Sequence, residues 1–259
     1  MPELPEVERA RALIEERALG RRIAAVDDTD TYVCRPHAPG ELASALVGQT
    51  LTEAHRIGKA MWVETDGGPT LGLHLGMAGR IVVDDASEGD PAPDGENPRP
   101  LWDRFTVSFE DGGRMVLRDK RRLGRAVLDP DLSKLGPDAA VVGRDEFRSR
   151  VGTGIAPLKA RIMDQSVIAG VGNLLADEAL WRARLSPLRV AGDLDEEELD
   201  RLRREIRAAT RSAIRLGGVH TGELIAERRR GQVCPRCGTP LERQTVGGRT
   251  TYWCPAEQH

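Results

Sequence analysis

Apolar positions open the chain at helical spacing, with Leu4, Val7, Ala10, Leu13 and Ile14 on one stripe and Gly20 as the stop. The period then shortens. Segments 22–27, 50–56, 60–65, 70–75, 80–84, 104–110 and 114–118 are short, partly alternating and broken by Gly, Asp and Pro, which predicts strands. Glu110-Asp111-Gly112-Gly113 reads as a hairpin turn, and the set predicts an antiparallel sandwich or barrel. From about Gly154 the pattern becomes helical, over 158–164, 174–182 and 195–216. Acidic residues open the last helix at 195–198 and Gly217-Gly218 ends it. A β-like excursion closes the chain. The expected class is α+β: an N-terminal helix and β-sandwich domain over 1–130, a linker over 131–153, a helical domain over 154–230 and a ribbon over 231–259.

Composition narrows this frame. The 259 residues are 31% charged and 39% hydrophobic, with no apolar run long enough for a membrane span and no basic-then-apolar leader, so a cytoplasmic protein is expected. Four cysteines are too few for a disulfide scaffold. The net charge of −3 hides an asymmetry: residues 1–149 hold 20 Lys+Arg against 27 Asp+Glu, net −7, and residues 150–259 hold 18 against 14, net +4. Much of the N-terminal acid lies in the Pro/Gly/Asp-rich run Asp84–Glu96, expected as an exposed loop. Whole-chain charge therefore says little about any one binding surface.

Several clusters carry candidate chemistry. Removal of Met1 makes Pro2 a free secondary amine beside Glu3 and Glu6, and an α-amino group titrating near pH ~8 is partly unprotonated and nucleophilic at neutral pH. Acidic residues at a helix start also have a plain structural use through the helix dipole. Only Lys59, Lys120, Lys134 and Lys159 stand against 34 arginines; Lys59 sits at a strand edge beside Gly58, placed for acid/base work or to grip a phosphate, with a solvated strand-edge lysine as the alternative. Gly170-Val171-Gly172-Asn173-Leu174 puts small residues before a helix whose free N–H groups favour an anion, with Asn173 as the expected N-cap and phosphate contact; a tight helix-helix turn is the alternative.

The ribbon gives the strongest spacing. Cys234-Pro235-Arg236-Cys237 forms a CxxC knuckle and Cys254 returns a third thiolate after 16 residues, as a zinc ribbon requires for one structural zinc ion. A second CxxC would put cysteine at 257, where the chain has Glu257. His259 is the better fourth donor for a borderline-soft ion, and Glu257 the second choice.

In this order the pieces resemble the formamidopyrimidine-DNA glycosylase and endonuclease VIII family of base-excision repair. The likeness runs through Pro2-Glu3-Leu4-Pro5-Glu6-Val7-Glu8, the Lys59 strand, His74-Leu75-Gly76-Met77, Asp119-Lys120-Arg121-Arg122-Leu123-Gly124, 159–178 as a helix-two-turn-helix, and the ribbon with Arg249 five residues before Cys254. Leu4, where endonuclease VIII proteins usually have glycine, leans toward the formamidopyrimidine branch. The resemblance implies a bifunctional DNA glycosylase/AP lyase acting as a monomer on double-stranded DNA with a damaged base or abasic site, without any membrane partner. By the same resemblance Pro2 attacks C1′ and forms an imine, Glu3 helps open the sugar with Glu6 nearby, and Lys59 and Arg249 touch phosphate and assist strand cleavage. Lys159 and Asn173 would hold backbone phosphates, while Met77, Arg121 and Leu123 would fill the gap left by a flipped base.

Three departures qualify this. Leu123 replaces the phenylalanine of formamidopyrimidine enzymes, Glu257 replaces a cysteine, and only Val219–Val233 separate the last helix from the ribbon where that branch carries a long 8-oxoguanine-capping loop. The Arg228-Arg229-Arg230 run is expected to face phosphate, with a solvated turn as the alternative. A non-catalytic damage-binding protein of the same fold is the alternative, although such a relative would be expected to lose Pro2 or Glu3. An unrelated N-terminal-proline enzyme would need neither ribbon nor basic helical half.

Overall fold

The computed structural model describes residues 2–89 and 100–259, and the chain divides into two compact units, one of residues 2 and 6–132 and one of 3–5 and 133–259. In the first unit, α1 (Leu4–Arg17) precedes the strands of two sheets. β1 (Ile23–Asp27), β7 (Asp103–Phe109), β8 (Arg114–Arg118), β5 (Arg80–Val83) and β6 (Ala86–Gly89) form one sheet in that order. β2 (Leu51–Ile57), β3 (Ala60–Thr65), β4 (Leu71–His74) and β9 (Arg125–Leu128) form the second. These pairings are antiparallel. Alternation does the work the pattern promised: Phe105, Val107 and Phe109 of β7 and Met61 and Val63 of β3 enter one core that also takes Val7, Ala10 and Ile14 of α1. The Glu110–Gly113 turn joins β7 to β8, with Gly112 at φ 90°.

The acidic run expected as a loop is partly strand. Ala86–Gly89 pairs with β5 through a two-residue Asp84-Asp85 turn, and Arg9 binds Glu88 bidentately at 2.8 and 2.6 Å. Residues 90–96 of that run lie outside the described residues. In this unit β9 and α2 also escape the sequence pattern. β9 is four residues long, and α2 (Glu41–Leu46) starts on a distant anion, the Asp28 carboxylate, which accepts N–H bonds from Gly40, Leu42 and Ala43.

The second unit is helical. α3 (Arg144–Val151), α4 (Leu158–Met163), α5 (Asn173–Ala183) and α6 (Glu196–Leu216) surround a core of Phe147, Leu158, Ile162, Leu175, Leu180, Leu202 and Ile206, among others. A capping box starts α6: Asp195 accepts from the Glu198 amide at 2.8 Å and Glu198 accepts from the Asp195 amide at 3.1 Å. Gly217 at φ 107° ends it. α7 (Glu223–Ala226) and the hairpin β10 (Glu242–Val246) to β11 (Arg249–Trp253) follow, with Gly247 and Gly248 both at positive φ in the two-residue turn.

The segment 131–153, expected as a linker, contains α3, whose Phe147 and Val151 are 1% and 0% exposed in the second core. Arg148 pairs bidentately with Asp200 of α6. An eight-residue helix carrying two core side chains gives too short a periodic signal to stand out. Phe147→Ala is expected to destabilise the protein by about 3–5 kcal/mol in chemical denaturation; a change below about 0.5 kcal/mol, as for a linker residue, would contradict this placement.

Candidate active site and nucleic-acid interface

The loop predicted to hold an anion does so, and the anion is part of the chain. Both carboxylate oxygens of Glu3 accept amide hydrogen bonds at the start of α5, from Leu174 at 2.8 Å and Leu175 at 3.0 Å. Those amides have no partner within the helix, and the helix dipole favours negative charge there. Glu3 is 1% exposed. The approach demands glycine at 172, where a Cβ would lie 2.2 Å from Glu3 Cδ. The Leu4 amide adds a bond to Gly170 O at 3.2 Å. Gly172, not Asn173, is the N-cap. Pro2 and Glu6 are buried on either side of this anchored stretch in the sequence.

One turn into α5 lies a second network. Lys159 is fully buried, and its Nζ reaches Asp177 Oδ1, Asn173 Oδ1 and Thr251 Oγ1, each at 2.7 Å, and Thr250 O at 3.3 Å. Burial lowers its pKa, with the Asp177 carboxylate opposing that shift. The Arg228 guanidinium binds Asp177 Oδ2 at 2.7 Å, donates to Thr250 O and lies over the Tyr252 ring. These positions correct one expectation and refine another. Lys159 is fully buried with its Nζ spent on Asp177, Asn173 and β11, which turns it away from the expected phosphate contact, and Arg228 is half-buried, with Nε and one Nη helping to hold β11 against α5. Arg229 and Arg230 are exposed. Asn173 keeps its Nδ2 as a donor because its Oδ1 serves Lys159, and Arg249 stands exposed at the hairpin tip.

In the first unit, Gly58-Lys59 form the two-residue turn between β2 and β3, so Lys59 sits at a hairpin apex. His74 at the end of β4 has a lowered pKa, first from desolvation and then from the Lys59 ammonium. Its Nδ1 accepts the Gly76 amide at 2.9 Å. The turn after β4 and the loop 119–124 meet backbone to backbone: a Cβ on Gly76 would lie 2.4 Å from the Leu123 carbonyl carbon. This brings Met77, 40% exposed, beside the loop carrying Arg121, exposed, and Leu123, half-buried. The three residues predicted to act together therefore share one place.

The ribbon gathers three thiols. The sulfur atoms of Cys234, Cys237 and Cys254 lie within 4.8 Å of one another, with Cys237 and Cys254 3.5 Å apart, and Trp181 Nε1 donates to Cys234 Sγ at 3.4 Å. That spacing and donor set fit a tetrahedral zinc ion, and these three residues would hold it. His259, expected as the fourth donor, is not in the group. Gln258 is buried with its side chain bonded to the Cys254 amide and Leu185 O, and the His259 backbone pairs with Arg184 O and the Ser186 amide. Glu257 pairs with Arg236 at 3.2 Å and Arg184 at 3.6 Å.

The sequence reading missed Asp177, the carboxylate that Lys159 and Arg228 share. Its spacing of four from Asn173 places both on one face of α5 and was the available signal.

A curated relative from Roseiflexus sp. (strain RS-1), a formamidopyrimidine-DNA glycosylase, is 37% identical over 98% of this chain and 98% of its own. The chain belongs to the formamidopyrimidine-DNA glycosylase family. It is a DNA glycosylase with the AP lyase activity typical of that family. Family profiles match in the expected order: the formamidopyrimidine-DNA glycosylase N-terminal domain over 1–126, its H2TH domain over 135–223, and the zinc finger found in FPG and IleRS over 231–256. The structure of MutM (Fpg) from Thermus thermophilus is similar with a TM-score of 0.81 at 33% identity, covering 99% of this chain and 98% of that one. The Lactococcus lactis Fpg in complex with abasic-site DNA gives 0.83 at 27% identity, covering 99% of both. Among the described residues no helix is long and apolar enough to cross a membrane.

Stability and metal content both check this geometry. Lys159→Met leaves Asp177 with half its counter-charge and is expected to cost about 3–5 kcal/mol of stability, where a solvent-facing phosphate contact would cost under about 1 kcal/mol. Zinc content of about one ion per chain should survive His259→Ala and fall on Cys254→Ser; loss of zinc from His259→Ala would restore it as a ligand.

Proposed function

We propose that the chain excises oxidised or ring-opened bases from double-stranded DNA and then cleaves the strand, with Pro2 as the nucleophile. With Met1 removed, the Pro2 nitrogen bonds to C1′ of the damaged nucleotide and the glycosidic bond breaks, the base leaving with its electron pair and taking up a proton. Opening of the sugar ring puts a proton on the ring oxygen and leaves an iminium between Pro2 and C1′. Loss of a C2′ proton expels the 3′ phosphate, a second elimination expels the 5′ phosphate, and hydrolysis frees Pro2.

The observation that carries this reading is the capped Glu3 carboxylate. It fixes the residue bonded to Pro2 at a helix start, so the neighbouring amine has a defined position. Glu3 handles the ring-oxygen proton, with Glu6 in the same acid/base network. Lys59 at its hairpin apex and Arg249 at the ribbon tip contact phosphate and assist elimination, and Asn173 Nδ2 contacts the backbone. Met77, Arg121 and Leu123 fill the gap of the extruded nucleotide, whose flipping costs a few kcal/mol, least for damaged pairs.

The segment after α6 supports the choice of lesion. A short turn at 219–221 and α7 occupy it, and Glu178 pins α7 by accepting the Glu223 and Leu224 amides at 3.2 and 3.0 Å. Formamidopyrimidines, hydantoins, oxidised pyrimidines and a bulkier adduct are the lesions this shorter cover admits. The catalytic sandwich, the helical module and the ribbon act as the working parts of one monomer in the cytoplasm, on the nucleoid.

Borohydride trapping on an abasic-site duplex tests the nucleophile. Wild type should form a covalent adduct, and protein with a blocked N-terminus should form none; an undiminished adduct from the blocked protein would overturn the role of Pro2. Glu3→Gln is expected to lower single-turnover excision by about 10²–10⁴-fold.

A further inference from the structure

Asp119 stands out among the buried acidic groups because its side chain bonds to the loop that directly follows it. It is 0% exposed. Its Oδ1 accepts the Arg121 amide at 2.8 Å, and its Oδ2 accepts the Leu123 and Gly124 amides, both at 2.7 Å. Its own backbone is fixed on both sides, by its amide to Trp102 O at 2.9 Å and by Arg104 Nε to its carbonyl at 2.8 Å. A buried carboxylate is tolerated only when its oxygens are satisfied, and here three amides do so.

The bonded amides belong to Arg121 and Leu123 themselves and to the next residue. Within this short loop Arg122 adopts φ 56°, in the left-handed region, and its guanidinium is tied bidentately to Asp30 at 2.7 and 2.9 Å. Such a backbone persists only where its surroundings over-determine it. Gly76 then abuts the Leu123 carbonyl and the Gly124 amide, where a Cβ would come within 2.4–2.6 Å. The Met77 turn therefore takes its position from the loop that Asp119 holds.

We propose that Asp119 is a positioning residue that presets Arg121, Leu123 and Met77 as one rigid block before DNA arrives. The inference rests on the reading of those three residues as the ones that replace the extruded nucleotide. Its consequence is selective. Extruding a base from a paired duplex needs the block, whereas imine formation at an abasic site already in unpaired DNA does not.

The test compares two reactions in each variant: single-turnover excision of a damaged base from a duplex, and borohydride trapping on a single strand containing an abasic site. Asp119→Asn replaces an acceptor oxygen by a donor and keeps the volume. It should lower duplex excision at least about tenfold while single-strand trapping stays within about threefold of wild type. Gly76→Ala, which pushes the two loops apart, should show the same split. Equal losses in both reactions would make Asp119 an ordinary stabilising residue, and unchanged duplex excision would also overturn the proposal. Arg121→Ala and Leu123→Ala separate the two levels. If neither lowers duplex excision, the reading of the block itself fails; if both do and Asp119→Asn does not, only the positioning role fails.

Discussion

The Glu3 carboxylate at the start of α5 is the interaction on which the rest of the site depends. Four unsatisfied amides begin every helix, and here two of them are answered from 171 and 172 residues away by a side chain rather than by a ligand or a local cap. The chain ahead of α1 thereby gains a fixed anchor. Glycine at 172 makes room for it, and any larger residue would displace Glu3 and with it the terminal segment. Catalysis by an N-terminal amine needs such an anchor, since chain ends are otherwise the least ordered part of a domain.

α5 then serves as a rail, about 16 Å long at 11 residues, along which the second unit is assembled. Its first turn carries Glu3 and Asn173, its second carries Asp177 with Lys159 and Arg228, and Glu178 starts α7. Trp181 packs with Leu224, Cys234 and Cys254. Lys159, fully buried, and Arg228, half-buried, both spend hydrogen bonds on this assembly. They fix where β11 runs, and so fix the exposed Arg249 one residue before Thr250. A buried ion network is costly to leave incomplete, which makes the placement of the ribbon sharply defined.

Much of this was legible in the chain. The stripe of α1, the alternation of β3 and β7, the capping residues of α6 and the CxxC knuckle each carry a local pattern that matches its structure. The elements that escaped were those whose cause lies far along the chain. α2 begins on Asp28, α3 shows only Phe147 and Val151 as core signals, and the strand within the acidic run is defined by its pairing with β5. For the candidate site, residue types were easier to read than directions. An anion-binding helix start was visible at Gly170–Leu174, but nothing local could say that Glu3 fills it. Lys159 drew a phosphate role from the family resemblance alone, and its four acceptors, on α5 and β11, lie outside its own helix. His259 looked like a zinc donor because spacing alone does not show Gln258 taking the buried position.

Amide hydrogen exchange at Leu174 and Leu175 tests the anchor most directly. Both amides should exchange slowly in wild type and at least about tenfold faster in Glu3→Ala, while the interior of α6 keeps its protection. Unchanged rates at those two positions would show that Glu3 does not hold the start of α5, and would contradict the account.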